Sequence, residues 1–298
     1  MQPARARQGA YRHRRPPTSR IADASGARHL ERPVNPQPDN RLRLSEEIVF
    51  DVVDGAIAVI TIYRPAQRNA INRGVIDGLK QAWQRLEQDP ALRVGILTGA
   101  GDKAFCAGMD LKEAAAMQLR IPPRDMFPVL GDNVRVSKPT IAAVNGVALA
   151  GGWLFAQMCD LCVASEHAAF GITEAKVGRG MPWAAPLIHM LPQRIAMEVL
   201  LTGKPIGAQR AHALGYVNEV VPHAQLLDSA LALARVIAAN APLTVKAARE
   251  LVYLSTEMGR SAALDAAHAL FEPVYLSEDA QEGPRAFAEK RAPHWKGC

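Results

Sequence analysis

The chain has 298 residues, 49% of them hydrophobic and 21% charged, which suits a soluble globular protein with an ample core of one large or two small domains. No uninterrupted apolar run approaches the ~20 residues a bilayer-spanning helix needs, so no membrane partner is expected. The net charge of +6 is concentrated: residues 1–43 carry ten Arg and no Lys against three acidic residues, and the remainder is close to neutral. Nucleic acid is therefore not expected as a partner of the folded part.

Residues 1–43 are rich in Arg, Pro and polar side chains and lack apolar periodicity, which predicts a disordered basic tail. The prolines argue against an amphipathic transit segment. From about residue 47 strand-like and helix-like runs alternate, the mark of an α/β fold. IVFDVVDGAIAVITIY reads as a hairpin turning at Asp54-Gly55. Asn72 then caps a helix with Val75, Ile76, Leu79, Trp83 and Leu86 at helical spacing, and Asp89-Pro90 ends it. RVGILTG reads as a buried strand, residues 109–137 as helical pieces broken by prolines, and PTIAAVNGVAL as the next strand region. AGGWLFAQMCD follows as a helix, then DLCVAS and AAFG as strands. Past Pro192, ALALARVIAAN, TVKAARELVYLS and SAALDAAHALFEPVYL are three amphipathic helices. The expected division is a tail (1–43), a core carrying the site (44–200) and a helical C-terminal region (201–298).

Several short motifs lack the context their chemistry needs. Thr98-Gly-Ala-Gly-Asp-Lys-Ala104 fits a dinucleotide fingerprint, but the segment that should hold the ribose-binding acid is LRIPPRD, which its prolines bar from a central parallel strand. Cys159 and Cys162 form a CxxC with no second pair and no His pair at ligand spacing, so they read as buried small hydrophobes and no metal is expected. Four cysteines without a disulfide framework suit a reducing, cytoplasmic setting. His189 and His212 lie in helical, partly apolar runs and read as packing. No GxSxG, HExxH or P-loop pattern is present. Two glycine-bearing bends remain. Phe105-Cys-Ala-Gly-Met-Asp-Leu111 allows a close approach of backbone at Gly108, and Ala150-Gly151-Gly152 opens a helix directly after a strand, with free N–H groups.

Taken in order, YRPAQRNAIN, TGAGDKAFCAGMDL, KPTIAAVNGVALAGG, CDLCVAS, FGITEAKVGRGMP, LTGKPIGAQRAHALGYVNEVVP and GPRAFAEKRAPHW resemble the crotonase superfamily, the enoyl-CoA hydratase/isomerase family, over residues 47–296. The resemblance implies a spiral of ββα units with a helical C-terminal oligomerisation region. It implies acyl-CoA thioester substrates, coenzyme A entering only as part of the substrate with no other cofactor, and a homotrimer or dimer of trimers. It also implies an oxyanion hole of two backbone N–H groups, which motif matching places on Ala107 and Gly151, the latter helped by a helix dipole. The family's hydratases use two glutamates. One position holds Leu154 here, the other Glu174, so a single carboxylate of raised pKa, lined by Leu154, Trp153 and Trp183, is expected to move the proton. That suits double-bond isomerisation, with hydration or hydratase-lyase chemistry as one alternative and non-catalytic acyl-CoA binding as another. Lys103, Phe105, Gly108, Asp110, Leu154 and Trp183 are the expected substrate-binding residues. Arg64, Lys103, Lys290 and Arg291 are the cations considered for CoA phosphates.

Overall fold

The computed structural model describes residues 41–118 and 120–298, and the basic tail of residues 1–40 lies outside them. The last three residues assigned to that tail belong to the fold instead. Arg41–Arg43 form β1, paired antiparallel with β2 (Ile48–Val53). β2 and β3 (Ile57–Ile62) make the expected hairpin, with Val53 opposite Ile57. Asp54 and Gly55 both have positive φ, 52° and 68°, the conformation a tight hairpin turn requires. The Asn72 side chain accepts the Val75 N–H at 2.9 Å and starts α1 (Arg73–Gln88), which buries the apolar face read from the sequence.

Three strand pairs follow, and each splits between two sheets. β4 (Val94–Gly99), β6 (Thr140–Val144) and β8 (Leu161–Ser165) join the larger sheet; β5 (Ala104–Cys106), β7 (Val147–Leu149) and β9 (Ala169–Gly171) join the smaller. Between them lie α2 (Leu111–Met117), α3 (Gly151–Gln157) and α4 (Glu174–Val177), the last followed by a 3₁₀ segment, Pro182–His189. The strand region PTIAAVNGVAL thus divides into two strands, β6 and β7. The break falls at Asn145-Gly146: a Cβ at Gly146 would lie 2.5 Å from the Lys103 backbone. Asn145, 2% exposed, accepts the Gly99 N–H and donates to the Gly101 and Ala104 carbonyls. Asn69, fully buried, makes the matching set with Arg64, Ala100 and Ala104. The two amides satisfy the backbone groups that the split leaves without ladder partners.

The chain continues through α5 (Gln193–Thr202), β10 (Ile206–Gly207), α6 (Ala208–Ala213), β11 (Glu219–Val221), α7 (Leu226–Ala238), α8 (Pro242–Glu257), α9 (Arg260–Leu276) and α10 (Glu278–Ala288). The sheets run β1-β2-β3-β4-β6-β8-β11 and β10-β9-β7-β5. β3, β4, β6, β8 and β11 are parallel; β3, β4, β6 and β8 are buried on both faces, which explains their continuous apolar runs, and β11 lies at the sheet edge with Glu219 exposed. Ala58, Ile60 and Leu97 face the core shared with α1 and α3. Ile57, Val59, Ile96 and Val163 face Leu226, Ala230 and Leu231 of α7.

The expected boundary at residue 200 is therefore overturned. β11 completes the large sheet beside β8, and α7 covers one of its faces. A three-residue strand carries too little period to be read as one. Asp160 ties α8 to the sheet: it accepts the Thr140 N–H at 2.7 Å, Arg249 Nε at 2.8 Å and the Tyr253 hydroxyl at 2.6 Å. Among the described residues no single helix is long and apolar enough to cross a membrane.

Candidate active site

The C-terminal ends of β5, β7 and β9, neighbours in the small sheet, deliver three segments to one place: Ala107–Asp110, Ala150–Gly151 and Ile172–Glu174. Ligands of parallel sheets gather at such ends. The segments touch through backbone. The Ala150 N–H donates to the Gly171 carbonyl at 2.8 Å. A Cβ at Gly108 (φ 91°) would lie 2.9 Å from the Ala150 Cβ and 3.6 Å from the Gly151 nitrogen, and one at Gly152 would lie 2.0 Å from the Cys106 carbonyl oxygen. Side chains there would push the segments apart.

Hydrogen-bond geometry corrects one expected donor. The Ala107 N–H donates to the Arg68 carbonyl at 3.1 Å and is not free for a ligand. Two residues on, Ile71 donates to the Gly108 carbonyl at 2.8 Å and accepts the Asp110 N–H at 2.9 Å. In such a parallel bridge the intervening residue's N–H points the other way, and that residue is Met109. Among the described residues Met109 N–H has no acceptor. Gly151 N–H, at the first position of α3, has none either. The free pair is Met109 and Gly151. Motif matching could not have found it, because the direction of each N–H depends on Ile71, far away in sequence. With only seven residues, α3 contributes mainly these oriented N–H groups.

Glu174 opens α4, is 8% exposed, and has one carboxylate oxygen, Oε2, without a partner among the described residues. Burial raises its pKa above the ordinary carboxylate value. Hydrogen bonds from its own N–H, the Trp183 side chain and the Thr173 N–H pull the other way without cancelling the shift. Leu154 is 2% exposed on α3. Trp153, fully buried, packs with Phe170 and Tyr216, ring centroids 5.7 and 5.6 Å away. Glu166 is exposed, pairs with His167 at 3.5 Å and sits beside Val221 at the end of the large sheet, so it does not replace the absent acid.

Other expected site residues divide cleanly. Gly108 is at the strand ends with Glu174, and half-buried Trp183 lies in the 3₁₀ segment after α4. Phe105 is fully buried in the core and is not a substrate contact. Asp110 is committed internally: it caps α2 through the Lys112 N–H and pairs with Arg64 at 3.2 Å. Burial pushes its carboxyl up, but the Arg64 and backbone bonds outweigh this and hold it low. Arg64 also donates to the Ala70 carbonyl at 2.6 Å, and Arg291 is held by Glu282 and Glu289, so neither guanidinium faces outward for a phosphate. Lys103 and Lys290 are exposed. His189 and His212 are on the surface rather than packed. Cys106 and Cys162 are buried, and burial pushes both thiols up to about 12, unsuited to nucleophilic use.

Comparison with known proteins adds to this geometry. The enoyl-CoA hydratase/isomerase family profile matches residues 53–298. Enoyl-CoA hydratase EchA19 of Mycobacterium tuberculosis is 42% identical over 257 residues, 81% of this chain and 94% of that protein. The (E)-benzylidenesuccinyl-CoA hydratase of Thauera aromatica is 38% identical over 255 residues, 83% of this chain and 98% of its own. The crystal structure of enoyl-CoA hydratase EchA1 from Mycobacterium marinum superposes with a TM-score of 0.78 at 42% identity, covering 85% of this chain and 99% of that one.

Proposed function

The chain belongs to the enoyl-CoA hydratase/isomerase family, and on that footing we propose that it isomerises an enoyl-CoA thioester through an enolate, with Glu174 alone moving the proton. The observation that carries this reading is the pairing of a buried, half-unpartnered carboxylate with a hydrocarbon, Leu154, where a second acid would stand. Removing a proton beside the thioester places negative charge on its carbonyl oxygen. Preorganised donors at Met109 and Gly151 oppose that charge, each contributing ~3–4 kcal/mol. A base with a raised pKa takes the proton and, once protonated, returns it two carbons away. The double bond moves from the 3,4 to the 2,3 position, and no water has to be oriented.

Hydration is the second reading, favoured by the hydratase names of the relatives. It asks Glu174 both to orient and to deprotonate a water. In either case coenzyme A enters only with the substrate, and exposed Lys103 beside β5 is the side chain offered to its phosphates. The protein would work as a homotrimer or dimer of trimers, in the reducing cytoplasmic setting that its four free cysteines suit. Incubation with 3-enoyl- and 2-enoyl-CoA esters, followed by mass spectrometry, separates the readings. Isomerisation gives an isobaric product and hydration adds the mass of water. Binding across a broad acyl panel without either product would favour a non-catalytic acyl-CoA-binding protein.

A further inference from the structure

We infer that Arg64 and Asp110 are positioning residues for the oxyanion donors: their ion pair clamps the Ile71–Met109 bridge and so holds the Met109 N–H in place beside Gly151. The inference rests on the reading of those two N–H groups as an oxyanion hole and goes beyond it by naming what holds them. Residues 63–72 join β3 to α1 and belong to neither sheet. They contain the 3₁₀ turn Pro65–Gln67, followed by Arg68 and Asn69 with φ 51° and 55°. Consecutive non-glycine residues in the left-handed region persist only where their surroundings over-determine them. Ile71, near the end of this segment, touches both donors. Its backbone brackets Met109, donating to the Gly108 carbonyl at 2.8 Å and accepting the Asp110 N–H at 2.9 Å. Its side chain abuts Gly151, where a Cβ would lie 2.8 Å from the Ile71 Cδ1. A shift of Ile71 therefore moves one donor relative to the other.

Side chains fix Ile71 from both directions along the chain. Asn72, which caps α1, donates from Nδ2 to Glu47 at 2.9 Å. On the other side, Arg64 Nη1 donates to the Ala70 carbonyl at 2.6 Å, and Nη2 of the same guanidinium donates to Asp110 Oδ2 at 3.2 Å. One rigid fork thus holds the residue before Ile71 and the residue after Met109. Asp110 is fixed in turn by the Lys112 N–H, accepted through Oδ1 at 3.2 Å. The two side chains are only 15% and 19% exposed, so salt screens their attraction weakly. Their charges matter as well as their shape. A bare carboxylate one residue from Met109 would oppose the negative charge that develops on the thioester oxygen, and the guanidinium balances it. Lysine would keep that charge but lacks the planar fork that reaches two acceptors at once.

The test reads the donors directly with hexanoyl-CoA labelled with ¹³C at the thioester carbonyl, a saturated ester with no double bond to move or hydrate. Infrared difference spectra of the parent with this ester should show the carbonyl band at lower frequency than in free ester, the mark of a polarised C=O. Arg64→Lys and Asp110→Asn should each lose part of that shift. Each should also lower kcat about tenfold, with little change in KM, on the ester that the parent turns over. Asparagine can still cap α2, so Asp110→Asn carries the test alone if circular dichroism shows Arg64→Lys unfolded. Glu174→Gln should keep the full carbonyl shift while losing turnover, which separates the donors from the base. Parental band and kcat in both clamp variants, with only a lower melting temperature, would overturn the assignment. A rise in KM with the band unmoved would overturn it too. A parent that leaves the carbonyl band unshifted would instead remove the oxyanion reading beneath it, a separable outcome.

Discussion

Glu174 concentrates the residue-scale physics. A carboxyl whose pKa is higher in the folded than in the unfolded chain stabilises the fold most when protonated. That contribution is complete below the ordinary carboxylate value and is lost as the pH rises through the folded value. At pH 8 the parent therefore carries a buried charge that Glu174→Gln does not. The variant should melt at higher temperature than the parent at pH 8, and the gap should close by pH 4, as differential scanning calorimetry can follow. A gap independent of pH would mean that burial is not what shifts this group. Function at the cost of stability is the usual bargain for such residues. Motif position alone pointed to Glu174, Leu154 and Gly151, and the fold brings the Glu174 and Gly151 segments to neighbouring strand ends. Motif position did not reach Met109, because Ala107 lies in the same motif and only the Ile71 bridge decides which N–H is free. Phe105 and Asp110 misled for a related reason: sequence does not reveal which side chains of a motif are spent on the core or on a cap.

At the scale of elements, the turn from β7 into α3 holds the site together and is strained. Ala150 has φ 52° and ψ −124°, a conformation that glycine adopts freely and alanine does not. Ala150→Gly should relieve that strain, partly offset by the greater freedom of glycine in the unfolded chain, for a net gain of about 1 kcal/mol. Urea melts measure it, and a loss of stability would contradict the strain. The hairpin, α1 and the buried strand β4 were readable from alternation, capping and apolar runs. Splitting of β6 from β7 was not, since the break depends on Gly146 lying against Lys103 across the sheets. β11 is too short to announce itself and is fixed by its partner β8.

Across the whole molecule, α9 and α10 leave Tyr275, Leu276 and Phe287 73%, 80% and 86% exposed, large apolar side chains turned to solvent. If these side chains are buried between copies, as the trimer reading holds, light scattering should give the mass of a trimer or hexamer. Phe287→Glu should shift it toward monomer while leaving the helical circular dichroism intact. A parental monomer would contradict that reading. The amphipathic period of α7–α9 was plain in the sequence, but their destinations differ. α7 is buried against the large sheet, whereas α9 keeps long apolar side chains in solvent. Period shows that a face exists, not what covers it.

The most direct measurement is exchange at carbon. A 3-enoyl-CoA incubated in heavy water with the protein should take up deuterium beside the thioester carbonyl, read by mass spectrometry and NMR, and Glu174→Gln should abolish the uptake while still binding the ester. Exchange that persists in Glu174→Gln, or its absence from the parent with a bound and competent ester, would contradict the assignment of the proton to Glu174.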